Sequence, residues 1–338
     1  MAQLVAHLHG MQGVRGSNPL ISTMKYVANP IVEEGWTSSF MPDLSGKKFL
    51  ITGGTSGLGL EAARALVLKG AHVTITARKE EKGRKAQIET GAQRVLSLDL
   101  ASLESVRNAA SQITEDIDVL ICNAGVMVTP FRFTKDNFEL QMGTNHLGHF
   151  AFAGLIHHRI KERLISVASV AHRIGNFGPG TATSIRKKCL GEGSYSPWKA
   201  YGASKLANLL FINELERRRL KFGYSFIPLA AHPGFANTRL TRVGPAMAGQ
   251  PLKERWMGAM TELVAQSAHD GALPMLYAAS MPGIKGATYY GPRKMGQMRG
   301  TPMVVHGKTM AYDQTLAANL WQVSEELTGV SWENSPHA

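Results

Sequence analysis

Two residues of this sequence, Tyr201 and Lys205, could act together in catalysis. They lie four positions apart in the segment Ala200–Asn208, whose pattern predicts a helix. A spacing of four places both side chains on one face of that helix. A phenol ordinarily titrates near ~10 and is a poor base at neutral pH. A nearby cation, such as the ammonium of Lys205, would favour the phenolate and lower its pKa. The pair predicts an acid/base centre, although Y-x3-K also occurs by chance.

A glycine-rich turn lies far upstream of this pair. The apolar run Phe49–Thr52 is typical of a buried parallel strand, and it leads into GGTSGLG at Gly53–Gly59. A predicted helix, Leu60–Lys69, and a second strand, His72–Ala77, follow. Glycines at such a turn let backbone N–H groups approach a pyrophosphate, and the helix N-terminus favours negative charge. We interpret the turn as a dinucleotide site, the alternative being a tight loop.

The glycine spacing carries a family resemblance. The pattern TG-x3-G-x-G, with Gly53, Gly57 and Gly59 in the fixed places, resembles the short-chain dehydrogenase/reductase family. The resemblance extends over about Ser45–Tyr290. It implies one Rossmann-type α/β domain, a doubly wound parallel sheet of about seven strands with helices on both faces. It also implies an oxidoreductase that interconverts a carbonyl and its alcohol by hydride transfer.

Four catalytic positions follow from the resemblance. Tyr201 would be the acid/base, and Lys205 would assist it and bind the nicotinamide ribose. Ser169, at the end of the fifth predicted strand, would polarise the substrate oxygen. Asn145, in the segment Gly143–His149, would help to hold a water that passes protons from the lysine. A buried structural asparagine is the alternative for Asn145.

The resemblance also assigns cofactor positions at the ends of successive strands. These are Gly53, Thr55, Ser56, Gly57, Leu58 and Gly59 in the first turn, Asp99 and Leu100 beside the adenine, Asn123, Ala124 and Gly125 in an N-A-G signature, Tyr201 and Lys205, and Pro233, Gly234 and Thr238 against the nicotinamide carboxamide.

The choice between NAD and NADP is made where the second strand ends. There the sequence reads Thr76-Ala77-Arg78-Lys79, with no carboxylate before Glu80. An acidic residue would bind the ribose 2′-OH of NAD, whereas a basic residue accommodates the 2′-phosphate of NADP. Because arginine can fork onto a phosphate, Arg78 predicts NADP(H) as the cofactor. A surface arginine is the alternative.

Three segments, Ser169–His172, Ser204–Asn208 and His232–Gly234, resemble the retinol-dehydrogenase-like branch of the family, which also includes protochlorophyllide reductases. The C-terminal part resembles bacterial members of this branch. Two weakly matching segments, 172–200 and 236–300, are expected to form substrate loops. Apolar residues of the second could line a mouth for a hydrophobic carbonyl or could belong to the core.

The composition fits one large domain, placed at residues 41–338 and preceded by an extension at 1–40. The chain has 338 residues, of which 44% are hydrophobic. No secretory signal or membrane span is predicted, and two cysteines suit a reducing cytosol, so we expect a cytoplasmic protein without a metal site. The net charge of +12 is dispersed, without a nucleic-acid module. We therefore expect a small-molecule substrate and no nucleic acid, and a homo-oligomer remains open.

The first 23 residues lack any strand or helix period. Ala2–Val5 can be written GCT CAG TTG GTA, and Gly16–Pro19 can be written GGT TCG AAT CCN. These codons read like the D-arm and the T-arm of a transfer-RNA gene. We interpret residues 1–23 as an upstream tRNA gene read in frame, with the true start at Met24 or Met41; a disordered tail is the alternative.

Two other functions stay open at this point. A protochlorophyllide-reductase-like enzyme would reduce a C=C bond, and an NADP-sensing regulator would bind the cofactor without turnover. The presence of Ser169, Tyr201 and Lys205 argues against the sensor. The histidines near these residues show no metal-binding spacing, and we interpret them as packing or surface residues: His146, His149, His157, His158 and His172.

Overall fold

The computed structural model describes residues 32–236 and 265–333, and a sheet of eight strands lies at its centre. The strands are β1 (Lys48–Ile51), β2 (His72–Ala77), β3 (Arg94–Ser97), β4 (Ile117–Cys122), β5 (Ile160–Val167), β6 (Ile227–Ala231), β7 (Tyr289–Lys294) and β8 (Arg299–Val304). Their order across the sheet is β3-β2-β1-β4-β5-β6-β7-β8. Strands β1 to β3 are added toward one edge of the sheet, and β4 and the later strands are added toward the other. The carboxyl ends of β1 and β4 therefore flank the switch point where such folds bind ligands.

Strands β1 to β7 are parallel, which confirms the predicted Rossmann-type fold, but the predicted count of seven strands was one too low. The additional strand, β8, runs antiparallel to β7, with Pro292 opposite Pro302 in the register. A turn with three consecutive positive φ angles, at Met295, Gly296 and Gln297, joins the two strands. Proline in both strands weakens the sequence signal for this hairpin, because proline cannot donate to a ladder.

Helices cover both faces of the sheet. They are α1 (Gly57–Leu68), α2 (Glu80–Thr90), α3 (Leu103–Ser111), α4 (Leu140–Met142), α5 (Gly148–Ile156), α6 (Ala182–Cys189), α7 (Pro197–Phe222), α8 (Ala268–Ser280) and α9 (Gln314–Thr328). A π-helical turn, Gly143–Leu147, joins α4 to α5. Within the described ranges, no helix is both long enough and apolar enough to cross a bilayer.

The strand side chains alternate between two apolar cores. In β4, Leu120 and Cys122 pack with α3, α5, α7 and α9 on one face, whereas Val119 and Ile121 pack with α1 and α8 on the other. Successive side chains of a strand point to opposite faces, so a strand with both faces covered must be apolar throughout. This is why the central strands read as continuous apolar runs in the sequence.

Packing on the second face includes residues that precede Met41. Trp36 meets Tyr277 of α8 edge to face, with ring centroids 5.1 Å apart. The guanidinium of Arg293 donates a 2.8 Å hydrogen bond to the carbonyl oxygen of Val32. Residues 32–40 therefore pack on the domain, although the sequence placed them in the extension. The interpretation of residues 1–23 concerns a part of the chain outside the described residues and stays a hypothesis.

After α9 the chain returns to the first core through Trp332, which is completely buried. Its ring lies 5.1 Å from that of Trp321 and 5.8 Å from that of Phe211, and it stacks on His157 at 5.2 Å. This aromatic cluster joins the C-terminal segment to α7, to α9 and to the turn that follows α5.

We expect Trp332→Ala to lower the free energy of unfolding by about 3–5 kcal/mol, because it removes a large buried ring and leaves a cavity. Urea unfolding followed by circular dichroism measures this change. Trp198, which is 48% exposed, provides the control, and Trp198→Ala should change the same quantity by no more than about 0.5 kcal/mol. Equal effects of the two substitutions would show that the C-terminal segment does not stabilise the core.

Candidate active site

The glycine-rich turn between β1 and α1 packs directly on the residues that follow β4. Gly53 has a φ of +71°, and a Cβ at this position would lie 2.9 Å from the Cα of Ala124. A Cβ on Gly59 would lie 2.4 Å from the carbonyl oxygen of Gly53. Neither contact is sterically allowed for a larger residue without a shift of the backbone. The glycines therefore create a narrow cradle that fits the phosphates of a dinucleotide.

A cleft opens beside this cradle at the carboxyl ends of the parallel strands. It brings together most of the predicted cofactor positions, namely Gly53, Thr55, Ser56, Gly57, Leu58, Arg78, Asp99, Leu100, Asn123, Ala124 and Gly125. Gly59 lies behind the cradle, Pro233 and Gly234 follow β6, and Thr238 is outside the described residues. The cleft is also lined by Thr76, Ala77, Leu98, Val126 and Thr144, which the sequence analysis did not assign. All but Thr76 adjoin an assigned residue in the sequence, which is the signal that could have found them.

The ends of β1 and β4 are held together by one buried threonine. The hydroxyl of Thr52 accepts hydrogen bonds from the backbone N–H groups of Asn123, at 2.9 Å, and Ala124, at 3.0 Å. The side-chain amide of Asn123 donates to the carbonyl oxygen of Thr52 at 2.9 Å. Hydrogen bonds thus join the two loops at the floor of the cleft into one unit.

Arg78 lies at the rim of the cleft, one residue beyond the end of β2, and its side chain is exposed. It has no hydrogen bond or ion pair with any residue that the structure describes. Asp99, a carboxylate in the cleft wall, is already an acceptor, because its Oδ1 atom receives the N–H of Ala101 at 3.1 Å. A guanidinium without an internal partner is therefore available to an anion bound in the cleft.

The four predicted catalytic residues lie on neighbouring elements at the same edge of the sheet. Ser169 follows β5, Tyr201 and Lys205 are on α7, and Asn145 is in the π-helical turn. The hydroxyl of Ser169 is close enough to the phenol of Tyr201 to lower its pKa. The Lys205 ammonium lies 5.8 Å from the centroid of the Tyr201 ring. It donates a 2.8 Å hydrogen bond to the carbonyl oxygen of Val167, the last residue of β5.

Burial shifts the pKa values of this pair in opposite directions. It raises the pKa of Tyr201 to about 12, against a smaller lowering by the hydrogen bond with Ser169. It lowers the pKa of Lys205 to about 8. The residues of this chain alone therefore do not produce the lowered phenol pKa that the sequence predicted, because desolvation disfavours both charged forms. Any lowering would have to come from the positive charge of an oxidised nicotinamide.

The side chain of Asn145 makes three hydrogen bonds within the structure. Its Oδ1 atom accepts the N–H of Val126 at 2.8 Å. Its Nδ2 atom donates to the carbonyl oxygen of Val126 and to the hydroxyl of Ser204, both at 2.9 Å. The side chain therefore clamps the loop after β4 onto α7, in agreement with the structural alternative. The backbone carbonyl oxygen of Asn145 lies 3.1 Å from Nδ1 of His149.

The predicted substrate loop at 172–200 is largely helical, since it contains α6 and the start of α7. Arg186 of α6 forms an ion pair with Glu326 of α9, and Asn319 donates to the carbonyl oxygen of Gly180 at 2.9 Å. The segment is thus packed against the C-terminal helix. Of the second predicted loop, 236–300, the described part contains α8, β7 and the start of β8, and residues 237–264 lie outside the description.

One of the histidines interpreted as packing or surface residues contacts a predicted catalytic residue directly. His172 is fully buried, and its Nδ1 atom lies 2.6 Å from the carbonyl oxygen of Ser169. Its Nε2 atom accepts the backbone N–H of Lys308 at 3.2 Å. The sequence signal for this contact was the position of His172, three residues after Ser169.

Comparison with known proteins identifies the family. A family profile described as short chain dehydrogenase matches residues 47–180. Retinol dehydrogenase 11 from Homo sapiens is 33% identical over 327 residues, which cover 92% of this chain and 96% of that protein. This chain belongs to the short-chain dehydrogenase/reductase family. A chloroplastic short-chain dehydrogenase from Brassica napus, TIC 32 B, is 35% identical over 82% of this chain and 87% of its own length.

A solved structure supports the same assignment. The crystal structure of an uncharacterised protein from Mycobacterium paratuberculosis matches with a TM-score of 0.74 and 37% identity, over 88% of this chain and 99% of that one. The predicted retinol-dehydrogenase-like branch is confirmed by these relatives. As a member of this family, the protein is a carbonyl/alcohol oxidoreductase that binds a nicotinamide dinucleotide.

We expect Gly53→Ala to weaken binding of the reduced nicotinamide cofactor by about 10-fold or more, a loss of at least ~1.4 kcal/mol. The added Cβ would push the turn away from the end of β4 and open the cradle. Titration followed by nicotinamide fluorescence measures the Kd. Gly46 is a matched control, because its φ of +80° imposes the same backbone strain while a Cβ there meets nothing within 4 Å. Equal losses of affinity in both variants would contradict the role given to the cradle.

Proposed function

We propose that the protein is an NADP(H)-dependent oxidoreductase that interconverts a hydrophobic aldehyde or ketone and its alcohol, with Tyr201 as the acid/base. The observation that carries this proposal is the placement of Tyr201 beside Ser169, whose hydroxyl lowers the pKa of the phenol, and next to a buried lysine at the edge of the cofactor cleft. In a chain of this family, such a pair can hold a carbonyl oxygen and protonate it.

The bound nicotinamide would supply or accept the hydride, and the residues of the chain would handle the oxygen and the proton. Ser169 would donate a hydrogen bond to the substrate oxygen, and Tyr201 would transfer its proton to that atom as charge develops there. Because burial holds the pKa of Tyr201 high, the phenol keeps its proton at neutral pH, which is the form that carbonyl reduction needs. Lys205, with its pKa lowered to about 8, can return a proton near neutral pH.

NADP(H) is proposed over NAD(H) because of Arg78. Its exposed guanidinium at the end of β2 has no partner among the described residues, and a ribose 2′-phosphate would supply one. The remaining assigned positions, including Thr238, are proposed as cofactor contacts on the family pattern.

The substrate class rests on the relatives and the branch. The human relative is named as a retinol dehydrogenase, and we extend to this chain only the class of hydrophobic carbonyl compounds. We propose a small-molecule substrate, no nucleic-acid partner and a cytoplasmic location, on the composition of the sequence.

We expect the full chain to oxidise NADPH in the presence of members of a panel of aliphatic, aromatic and terpenoid carbonyls. Tyr201→Phe should lower kcat/KM by at least about 100-fold, because it removes the proton donor and leaves the ring. NADPH fluorescence would show that the variant still binds the cofactor. Tyr224→Phe is the control, because this partly buried tyrosine stacks on Phe226 at 5.9 Å, outside both predicted substrate loops, and has no assigned role in the reaction.

Three outcomes of this experiment would contradict the proposal. Full activity in Tyr201→Phe would remove the assigned acid/base. Turnover of a C=C substrate that requires illumination would indicate the protochlorophyllide-reductase type of reaction. Tight NADPH binding without turnover of any carbonyl would favour a cofactor-sensing regulator.

We expect Arg78→Ala to weaken NADPH binding by about 10- to 100-fold, the value of a charge-assisted hydrogen bond to a phosphate, and to leave NADH binding nearly unchanged. Competition titrations with both cofactors measure the ratio. Arg84→Ala is the matched control, because Arg84 is an exposed arginine on α2 that forms an ion pair with Glu80. A wild-type preference for NADH, or an equal effect of both substitutions, would overturn the assignment of NADP(H).

A further inference from the structure

His149, the second residue of α5, lies between three segments of the site. It is only 4% exposed. Its Nε2 atom lies 2.8 Å from the hydroxyl of Thr52, at the end of β1. Its Nδ1 atom lies 3.1 Å from the backbone carbonyl oxygen of Asn145, in the π-helical turn. Both ring nitrogens are therefore engaged with segments that carry assigned site residues.

The hydrogen bonds of Thr52 determine which nitrogen of the ring carries the proton. A hydroxyl has one proton and two lone pairs, and here both lone pairs receive N–H groups, those of Asn123 and Ala124. The hydroxyl proton must then go to a remaining acceptor. The Nε2 atom of His149, at 2.8 Å, is nearer than the carbonyl oxygen of Ile121, at 3.4 Å. The Nε2 atom therefore accepts and carries no proton.

A neutral histidine that accepts at Nε2 carries its proton on Nδ1. The Nδ1–H group of His149 consequently donates to the carbonyl oxygen of Asn145. Burial lowers the pKa of His149 to about 4, with a further contribution from the positive charge of Lys205, so the ring is neutral around pH 7. The hydrogen bonds thus run in one direction, from the amides after β4, through Thr52 and His149, to Asn145.

This series of hydrogen bonds ends at the backbone carbonyl oxygen of Asn145. The side chain of Asn145 bonds to Val126 and Ser204, and the ring of His149 bonds to its backbone carbonyl. Gly125 lies close to both ends of this series of hydrogen bonds, because it follows Ala124 in the sequence and approaches Asn145. A Cβ on Gly125 would lie 3.0 Å from Oδ1 of Asn145 and 3.8 Å from Nζ of Lys205.

We propose that His149 is a positioning residue of the active site. It couples the end of β4, which faces the nicotinamide cofactor, to the turn that places Asn145 beside Lys205. The inference rests on the proposed function, because only a hydride-transfer reaction with a separate proton supply requires these two sides to keep a fixed relation. Its loss would slow the reaction more than it would weaken cofactor binding.

His146, one residue after Asn145, is a matched control. It is also buried, and burial lowers its pKa to about 3. Its Nε2 atom bonds to the hydroxyl of Ser324 on α9 at 2.8 Å, on the side of the core away from the cleft. Replacing either histidine by phenylalanine keeps a ring in a buried position and removes its polar contacts, so a loss of packing alone would affect both variants alike.

The experiment compares His149→Phe, His149→Asn and His146→Phe with the wild type, in kcat, KM, NADPH Kd and Tm. In His149→Phe we expect kcat to fall by about 10- to 100-fold, the range for a misplaced active-site group, and the NADPH Kd to change by less than about 3-fold. His149→Asn places an amide near the former Nδ1 position, so it should recover part of kcat. In His146→Phe, kcat should stay within about 2-fold of the wild type, even if Tm falls.

A second readout does not depend on turnover. In protein labelled with ¹⁵N-histidine, we expect a ring signal with a protonated Nδ1 and an unprotonated Nε2 that is absent from His149→Asn, and that signal should shift when NADPH is added. Equal losses of kcat in His149→Phe and His146→Phe, or a His149 ring protonated on Nε2, would overturn the inference. A wild type that binds NADPH but reduces no carbonyl would overturn the proposed function instead, and the ring signal would still decide the tautomer.

Discussion

The contact between the glycine-rich turn and the end of β4 is the constraint on which the rest of the site depends. Gly53 and Gly59 bring two stretches of backbone closer than any Cβ would allow. Thr52 then accepts from two partly buried amides that follow β4, those of Asn123 and Ala124. A buried N–H group without a partner is costly, so the separation of these two strand ends is not adjustable. The position of the cofactor cradle and that of the turn containing Asn145 both depend on this junction. The position of α7 depends on it through that turn.

Burial has a different effect on each group at the junction. It makes the Tyr201 phenol a weaker acid and the Lys205 ammonium a stronger one, so both shifts favour the uncharged forms. It also keeps His149 neutral, which preserves its role as a donor at one nitrogen and an acceptor at the other. Neutral, directional hydrogen bonds therefore preorganise the part of the site around His149, whereas Lys205, with a pKa of about 8, still carries its positive charge at neutral pH.

The fold and the cofactor cleft could be read from the sequence because local rules determine them. Apolar runs predict the buried strands, and the spacing of Gly53, Gly57 and Gly59 predicts the turn. Other features depend on contacts between distant segments. The tautomer of His149 depends on how many amides reach Thr52, and the pKa of Tyr201 depends on how deeply α7 is buried, neither of which has a local pattern. The hairpin of β7 and β8 was missed because glycine and proline interrupt its strand pattern.

That same hairpin determines how the sheet ends. A parallel sheet that stopped at β7 would present an unpaired row of backbone donors and acceptors to other chains. In the described part of the chain, β8 covers that row, and its own sequence, Arg299 to Val304, includes Gly300 and Pro302. Proline has no amide proton, and glycine holds a strand poorly, so this edge is a weak template for a further strand. The cost is a less regular last strand, and the gain is protection against edge-to-edge aggregation while the sheet forms.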